Sequence, residues 1–142
     1  MLEERVSTPQ QKTAWRVGAQ QRLMQDLRKL EKEKPQGITA SPENEADLFV
    51  WQAVIFGPAD SPFEDGIFTL QIRFPDLYPF KPPKVRFLSP MYHPNIYDDG
   101  RLCLDMINEK WSPAYDVMSL LISIQSLLTD PNPKSPANSG ST

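Results

Sequence analysis

The sequence is poor in the residues that build disulfides and metal sites. It has one cysteine, Cys103, and one histidine, His93, among its 142 residues. One cysteine cannot form an internal disulfide, which favours a reducing compartment. One cysteine and one histidine cannot supply a zinc site of the usual type. We therefore expect neither a disulfide nor a resident metal.

Long apolar runs and a strong excess of one charge are also absent. No run approaches the roughly 20 residues of a membrane span, and the charged residues near Met1 argue against a signal peptide. The 15 Lys and Arg nearly balance the 18 Asp and Glu, so nothing indicates a nucleic-acid binder. We expect one domain, in the cytoplasm or nucleus, that binds neither membranes nor nucleic acid directly.

The first clear pattern is helical. Leucines within residues 23–30 share one face of an amphipathic segment, which should end near Lys34 because Pro35 follows. Residues 7–9, Ser-Thr-Pro, could cap an earlier start, although Gly18 weakens a helix that passes through it.

The next patterns predict a sheet and a second helix. Residues 51–56, 68–74 and 85–88 alternate apolar and polar side chains, and short loops between consecutive strands are typical of an antiparallel meander. Asp116 is a plausible N-cap for residues 117–128, which form a wide apolar stripe. We predict an α+β fold, with the apolar face of the sheet packed on this buried helix.

Both rare residues lie in one segment, from His93 to Cys103, which contains a tight Asp-Gly turn. One interpretation is a Cys-His nucleophile pair. The other is that His93 is satisfied within its loop and Cys103 is a small buried hydrophobe. The proline after His93 restricts its backbone, which suits a residue that holds a loop. The amide of Asn95 could donate to an oxyanion at a thioester carbonyl, or could bond to the backbone of the loop.

The order His93-Pro94-Asn95, seven residues, then Cys103-Leu104-Asp105 resembles the active-site signature of ubiquitin-conjugating (E2) enzymes. The resemblance covers about residues 20–138. It continues in residues 78–83, 111–114, 123–128 and 130–133. Residues 57–58, 62–66, 115–117 and 135–139 look most like the DNA-repair branch of the family, which ubiquitylates histones. Phe80 stands where that branch usually has Asn.

The resemblance implies acyl transfer at Cys103. This residue would accept the C-terminal glycine of ubiquitin from an E1 enzyme as a thioester. A lysine of a protein substrate, positioned by an E3 ligase of the RING type, would then attack it. Asn95 would stabilise the oxyanion or hold the loop, Asp105 and Ser135 would orient the lysine and tune its pKa, and Tyr92 would line its approach. The chain would need no cofactor, because E1 uses the ATP-Mg.

The resemblance also implies structural and binding residues. His93 and Pro94 would be structural. The E3-binding surface, part of which E1 shares, would comprise Arg22, Phe80, Ser112, Pro113 and Ala114. The family adds a strand near residues 85–88, so we expect about four strands, and it commonly holds the Pro82–Pro83 bond cis.

Two departures from the family set the expected domain limits. Residues 10–22 separate Ser-Thr-Pro from the first helix by more than in the DNA-repair branch, so they would either lengthen that helix or disturb the E1 and E3 surface. The family continues after Asn138 with two helices, whereas this sequence ends at Thr142. We expect an N-terminal extension at 1–19 and a catalytic UBC domain at 20–142, with the C-terminal helices absent through truncation or in a short natural variant.

Two other functions are compatible with the residues. A non-catalytic E2-like module would bind ubiquitin or an E3, and the missing C-terminal helices favour it, although Cys103 in its full motif argues for catalysis. A cysteine hydrolase would need a base near the sulfur, and the only histidine is expected to be engaged in its loop.

Overall fold

The computed structural model describes residues 8–129. The elements are α1 (Pro9–Glu33), β1 (Ile38–Asn44), β2 (Asp47–Phe56), β3 (Ile67–Arg73), β4 (Lys84–Phe87), α2 (Asp105–Asn108) and α3 (Val117–Thr129). Ser135 lies outside the described residues, so its predicted role stays a prediction. The boundary predicted between residues 19 and 20 falls inside α1.

The four strands form one antiparallel sheet in the order β1-β2-β3-β4. This confirms the α+β meander and the number of strands. The alternation pattern predicted three of these strands, β2, β3 and β4, and residues 85–88 correspond to β4. The fourth strand, which the pattern missed, is β1. Its signal is weak because β1 is an edge strand that contains Pro42 and ends in a register shift between Pro42 and Asn44, and both features are tolerated at sheet edges.

The core lies between the sheet and two helices, because α1 and α3 both pack on β2. One face of the sheet is fully buried at Trp51, Ile55, Leu70 and Ile72. The stripe predicted on α3 is buried at Val117, Leu120, Leu121, Ile124, Leu127 and Leu128. The sheet is therefore covered by both helices.

The first helix starts earlier than its apolar pattern. Thr8 caps it, since the backbone N of Gln11 donates to Thr8 Oγ1 at 3.1 Å and the backbone N of Thr8 donates to Gln11 Oε1 at 2.9 Å. Arg16 fixes the added turns by an ion pair with Asp76 at 2.6 Å and by lying 3.9 Å above the ring of Phe49. The extra residues thus lengthen the helix, which was one of the two expected outcomes.

Residues 78–83, after β3, form a Pro-rich segment. Its Tyr78–Pro79 bond is the one cis peptide bond among the described residues. The expectation of a cis bond at Pro82–Pro83 is wrong.

Candidate active site

A tight turn positions the segment that contains Cys103. The backbone N of Tyr97 donates to Arg101 O at 2.8 Å, and the backbone N of Gly100 donates to Tyr97 O at 2.9 Å. Gly100 has φ +93°, and a Cβ there would lie 2.1 Å from Phe87 O, so only glycine fits. Because Phe87 N donates to Gly100 O at 2.9 Å, the turn is tied to the end of β4.

His93 lies beneath this turn, and both its ring nitrogens bond within the protein. Nε2 lies 2.8 Å from Leu127 O, and Nδ1 accepts from the backbone N of Asn95 at 3.0 Å. Since a carbonyl only accepts, Nε2 carries the proton and the ring is neutral. Burial lowers the pKa of His93, and the bond to Leu127 opposes this shift only in part. His93 therefore has no nitrogen available to act as a base toward Cys103.

Asn95 joins His93 to Cys103. The residue is fully buried, and its carbonyl accepts from the backbone N of Cys103 at 2.8 Å. Its position next to Cys103 is thus fixed through the backbone on both sides. This geometry is compatible with both roles considered for Asn95, and the oxyanion role stays a prediction.

The thiol of Cys103 is partly exposed and donates to the hydroxyl of Tyr97 at 3.3 Å. That hydrogen bond is the largest cause of a raised pKa at Tyr97. Sequence reasoning missed Tyr97, although a signal was present. Ile96 and Leu102 pair across the turn and are buried, so the period of two directs Tyr97 and Cys103 to the opposite side.

The residues predicted to contact E3 lie together on a second surface. The indole Nε1 of Trp111 donates to Pro79 O at 2.7 Å, which links the Pro-rich segment to the turn at Ser112–Ala114. Phe80 is 74% exposed, Ser112 is half-buried, and Pro113 and Ala114 are exposed. The structure therefore presents an exposed aromatic side chain and a proline-containing turn that are joined to each other.

Arg22 contacts that turn from inside. Its Nη1 donates to Pro113 O at 2.9 Å and its Nη2 donates to Tyr115 O at 2.6 Å. Its Nε donates to Asp26 Oδ1 at 2.9 Å, and only 22% of the side chain is exposed. Arg22 thus holds the turn in place, and direct contact with E1 or E3 stays a prediction.

Asp26 is the buried centre of this arrangement, with 3% of the residue exposed. Besides Arg22, it accepts from the hydroxyl of Tyr78 and from the backbone N of Val117. Burial, and then the carboxylate of Asp26, raise the pKa of Tyr78 far above its ordinary value. A second tie runs from Lys29 to Asp116 at 2.7 Å. Helix α1 is thereby joined to the Pro-rich segment and to the start of α3.

Comparison with known proteins identifies the family. Residues 22–141 match the family described as ubiquitin-conjugating enzyme. The chain belongs to the ubiquitin-conjugating enzyme family. Ubiquitin-conjugating enzyme E2 1 of Caenorhabditis elegans is 52% identical over 121 residues, which are 85% of this chain and 62% of that relative. Ubiquitin-conjugating enzyme E2 2 of Yarrowia lipolytica (strain CLIB 122 / E 150) is 52% identical over 120 residues, 84% of this chain and 79% of that relative.

The other site residues expected from E2 enzymes are placed as follows. Pro94 is half-buried in the loop between His93 and Asn95, and Asp105 is the half-buried first residue of α2. Tyr92 is 85% exposed. The structure therefore brings Asn95 next to Cys103, whereas Tyr92 lies open to solvent.

Two kinds of feature are absent from residues 8–129. Within that range no group of three or more His, Cys, Asp or Glu side chains could hold a metal ion. None of the helices in the same range is long and apolar enough to cross a membrane.

Proposed function

We propose that this chain is an E2 enzyme that accepts ubiquitin from E1 on Cys103 and transfers it to a lysine of a protein substrate with an E3 ligase. The observation that supports this best is the partly exposed thiol of Cys103, held beside Asn95 by the 2.8 Å backbone bond in a member of the E2 family. The chain itself needs no cofactor, since E1 consumes the ATP-Mg.

The first step is a thioester exchange. The sulfur of Cys103 attacks the carbonyl carbon of the thioester between E1 and ubiquitin, so that a new C–S bond forms while the bond to E1 breaks. E1 recovers its thiol together with the proton. The tetrahedral intermediate bears an oxyanion, and an amide donor such as Asn95 stabilises such a charge most in the transition state.

The second step is aminolysis. The amine of a substrate lysine attacks the thioester, a C–N bond forms, the C–S bond breaks, and Cys103 recovers its thiol. The amine must lose a proton during this step. His93 does not accept it, because both its nitrogens are engaged. In this proposal Asp105 orients the lysine, with Ser135, and Tyr92 lines its approach.

An E3 of the RING type would bind the surface formed by Phe80 and the Ser112–Ala114 turn. The exposure of Phe80 supports this, since exposed aromatic side chains often anchor interfaces. The resemblance of residues 57–58, 62–66, 115–117 and 135–139 to the DNA-repair branch supports histones as substrates, a role in DNA repair, and a location in the nucleus or cytoplasm.

An E1-dependent loading assay separates this function from the two others considered. The proposal predicts that the chain forms an adduct with ubiquitin only when E1, ATP and magnesium are all present. A folded chain without an adduct would instead support a non-catalytic binding module. Turnover of a small thioester or amide without E1 would support a hydrolase.

A further inference from the structure

A groove on the outer face of the sheet lies beside the segment that precedes Cys103. Its cavity volume is about 660 Å³, which is in the usual range of binding clefts. We name it the basic groove, and it is lined by Gln71, Arg73, Pro82, Pro83, Lys84, Val85, Arg86, Arg101, Leu102, Ile107 and Asn108. The groove is lined by Leu102, which directly precedes Cys103. A segment bound there therefore lies near the reacting thiol.

The lining of the basic groove is cationic and, within the described part of the chain, contains no carboxylate. Four of its side chains are positively charged, namely Arg73, Lys84, Arg86 and Arg101. The Nε of Arg101 pairs with Asp99 at 2.7 Å. The described salt bridges involve none of the other three cations, and all three are exposed.

These cations lie opposite one another in the sheet. Arg73 is the cross-strand partner of Lys84 in the β3–β4 ladder, and Arg86 is paired with Arg101 by an isolated bridge. Like charges placed directly opposite each other destabilise a sheet. An outer face that is merely solvated has no need of two such pairs side by side. In the free protein Arg73 and Lys84 repel each other, whereas Asp99 already offsets part of the charge of Arg101. A bound anion would relieve the repulsion that remains.

We propose that the basic groove binds an acidic segment of the substrate protein, close in sequence to the acceptor lysine. This rests on the proposed function, in which the acceptor lysine has to approach the thioester on Cys103. Guanidinium groups of arginine match carboxylates in paired hydrogen bonds. The acidic segment therefore has ligands in the groove that a neutral segment lacks.

Two further observations favour a peptide over a nucleic acid. The groove also contains the half-buried Pro82, whose ring an apolar residue of a peptide can contact. The chain as a whole has a net charge of −3, so it repels a long polyanion from a distance. A short acidic peptide depends mainly on the local charge of the groove.

The binding test needs no thioester and uses a fluorescent peptide with alternating acidic and leucine residues before one lysine. Replacing Lys84→Gln and Arg86→Gln together should weaken its binding about tenfold, since two charge-assisted contacts are lost. The matched control is Lys12→Gln with Arg28→Gln, which removes the same charge from exposed positions on α1 and should leave binding nearly unchanged. A neutral Asn and Gln version of the peptide should bind weakly.

Three outcomes would overturn the proposal. Equal affinity for the acidic and neutral peptides would do so, as would equal affinity of the parent chain and the groove variant. A DNA duplex that binds more tightly than the peptide, and loses affinity in the same variant, would show that the occupant belongs to another class of molecule.

The functional test compares two acceptors after loading with ubiquitin. The groove variant should discharge to free lysine at the parent rate, and it should discharge to the acidic peptide several-fold more slowly. Equal slowing with both acceptors would show that the groove does not select substrates. A chain that binds the acidic peptide but never loads ubiquitin would refute the proposed function and leave the binding site intact, so the two failures can be distinguished.

Discussion

Replacing Tyr78→Phe removes one buried hydroxyl that donates to the carboxylate of Asp26. Tyr78 is 2% exposed and Asp26 is 3% exposed. The ring of the variant can keep its edge contact with Phe74, whose centroid lies at 4.9 Å, and its contact with Trp111 at 6.1 Å. The substitution therefore tests the hydrogen bond with little change in packing.

The expected loss is large for a single oxygen atom. A hydrogen bond to a charged group contributes about 1.5–3 kcal/mol to stability, and water cannot replace it at this depth. We expect the free energy of unfolding to fall by about 2 kcal/mol. For a chain of this length this corresponds to a decrease in Tm of roughly 6–8 °C.

Denaturant unfolding followed by circular dichroism measures this loss. Tyr92→Phe is the matched control, because the side chain of Tyr92 is 85% exposed, and its unfolding free energy should stay within about 0.5 kcal/mol of the parent. A double-mutant cycle with Asp26→Asn should give a coupling energy of about 1 kcal/mol or more. If Tyr78→Phe were as stable as the parent, or if the two substitutions were additive, Asp26 would not join α1 to the Pro-rich segment as described.

Three further predictions concern the active-site segment and the E3-binding surface. Burial lowers the pKa of His93, so the unfolded chain takes up a proton first and stability should fall as the pH drops below about 6.5. In unfolding experiments His93→Gln should lose this pH dependence. An unchanged slope of unfolding free energy against pH would contradict the assignment of His93 as a buried, neutral histidine. Phe80→Ala should weaken E3-stimulated transfer while E1 loading stays near the parent rate. Ile122→Ala is the control at another exposed apolar residue. Equal losses in both assays would show that Phe80 is wrongly assigned to the E3-binding surface. Asn95→Ala should load ubiquitin but discharge it to lysine about 100-fold more slowly, measured where the variant is shown to be folded, and normal discharge would limit Asn95 to holding the loop.

Local patterns predicted the elements that bury one face. Strands β2, β3 and β4 and helix α3 contribute the core, and burial requires apolar side chains at the period of each element. Strand β1 lies at the edge of the sheet and contains Pro42, so neither its periodicity nor its composition indicated a strand. The sequence indicated a possible cap at Thr8, but it left open whether α1 extends through Gly18 back to that cap.

In the candidate site, too, some residues could be predicted from the sequence, whereas contacts between distant parts of the chain could not. Cys103 and His93 attracted attention because each is unique in the chain. The contacts of Arg22 with Pro113 and Tyr115 join residues that are 91 and 93 positions apart, and no local pattern encodes such a pairing. Arg22 could be linked to the E3 surface only by family resemblance, whereas its role in holding the turn required the structure.

The most direct measurement of the central claim is the chemistry of the bond between ubiquitin and residue 103. The parent chain, incubated with E1, ATP-Mg and ubiquitin, should form an adduct that a thiol reagent breaks, because thioesters exchange with thiols. Cys103→Ser should load slowly and give an ester that resists thiols and is cleaved by hydroxide. If the folded parent chain formed no thiol-sensitive adduct, the assignment of Cys103 as the residue that accepts ubiquitin would be contradicted. A thiol-sensitive adduct on the Cys103→Ser variant would contradict it as well.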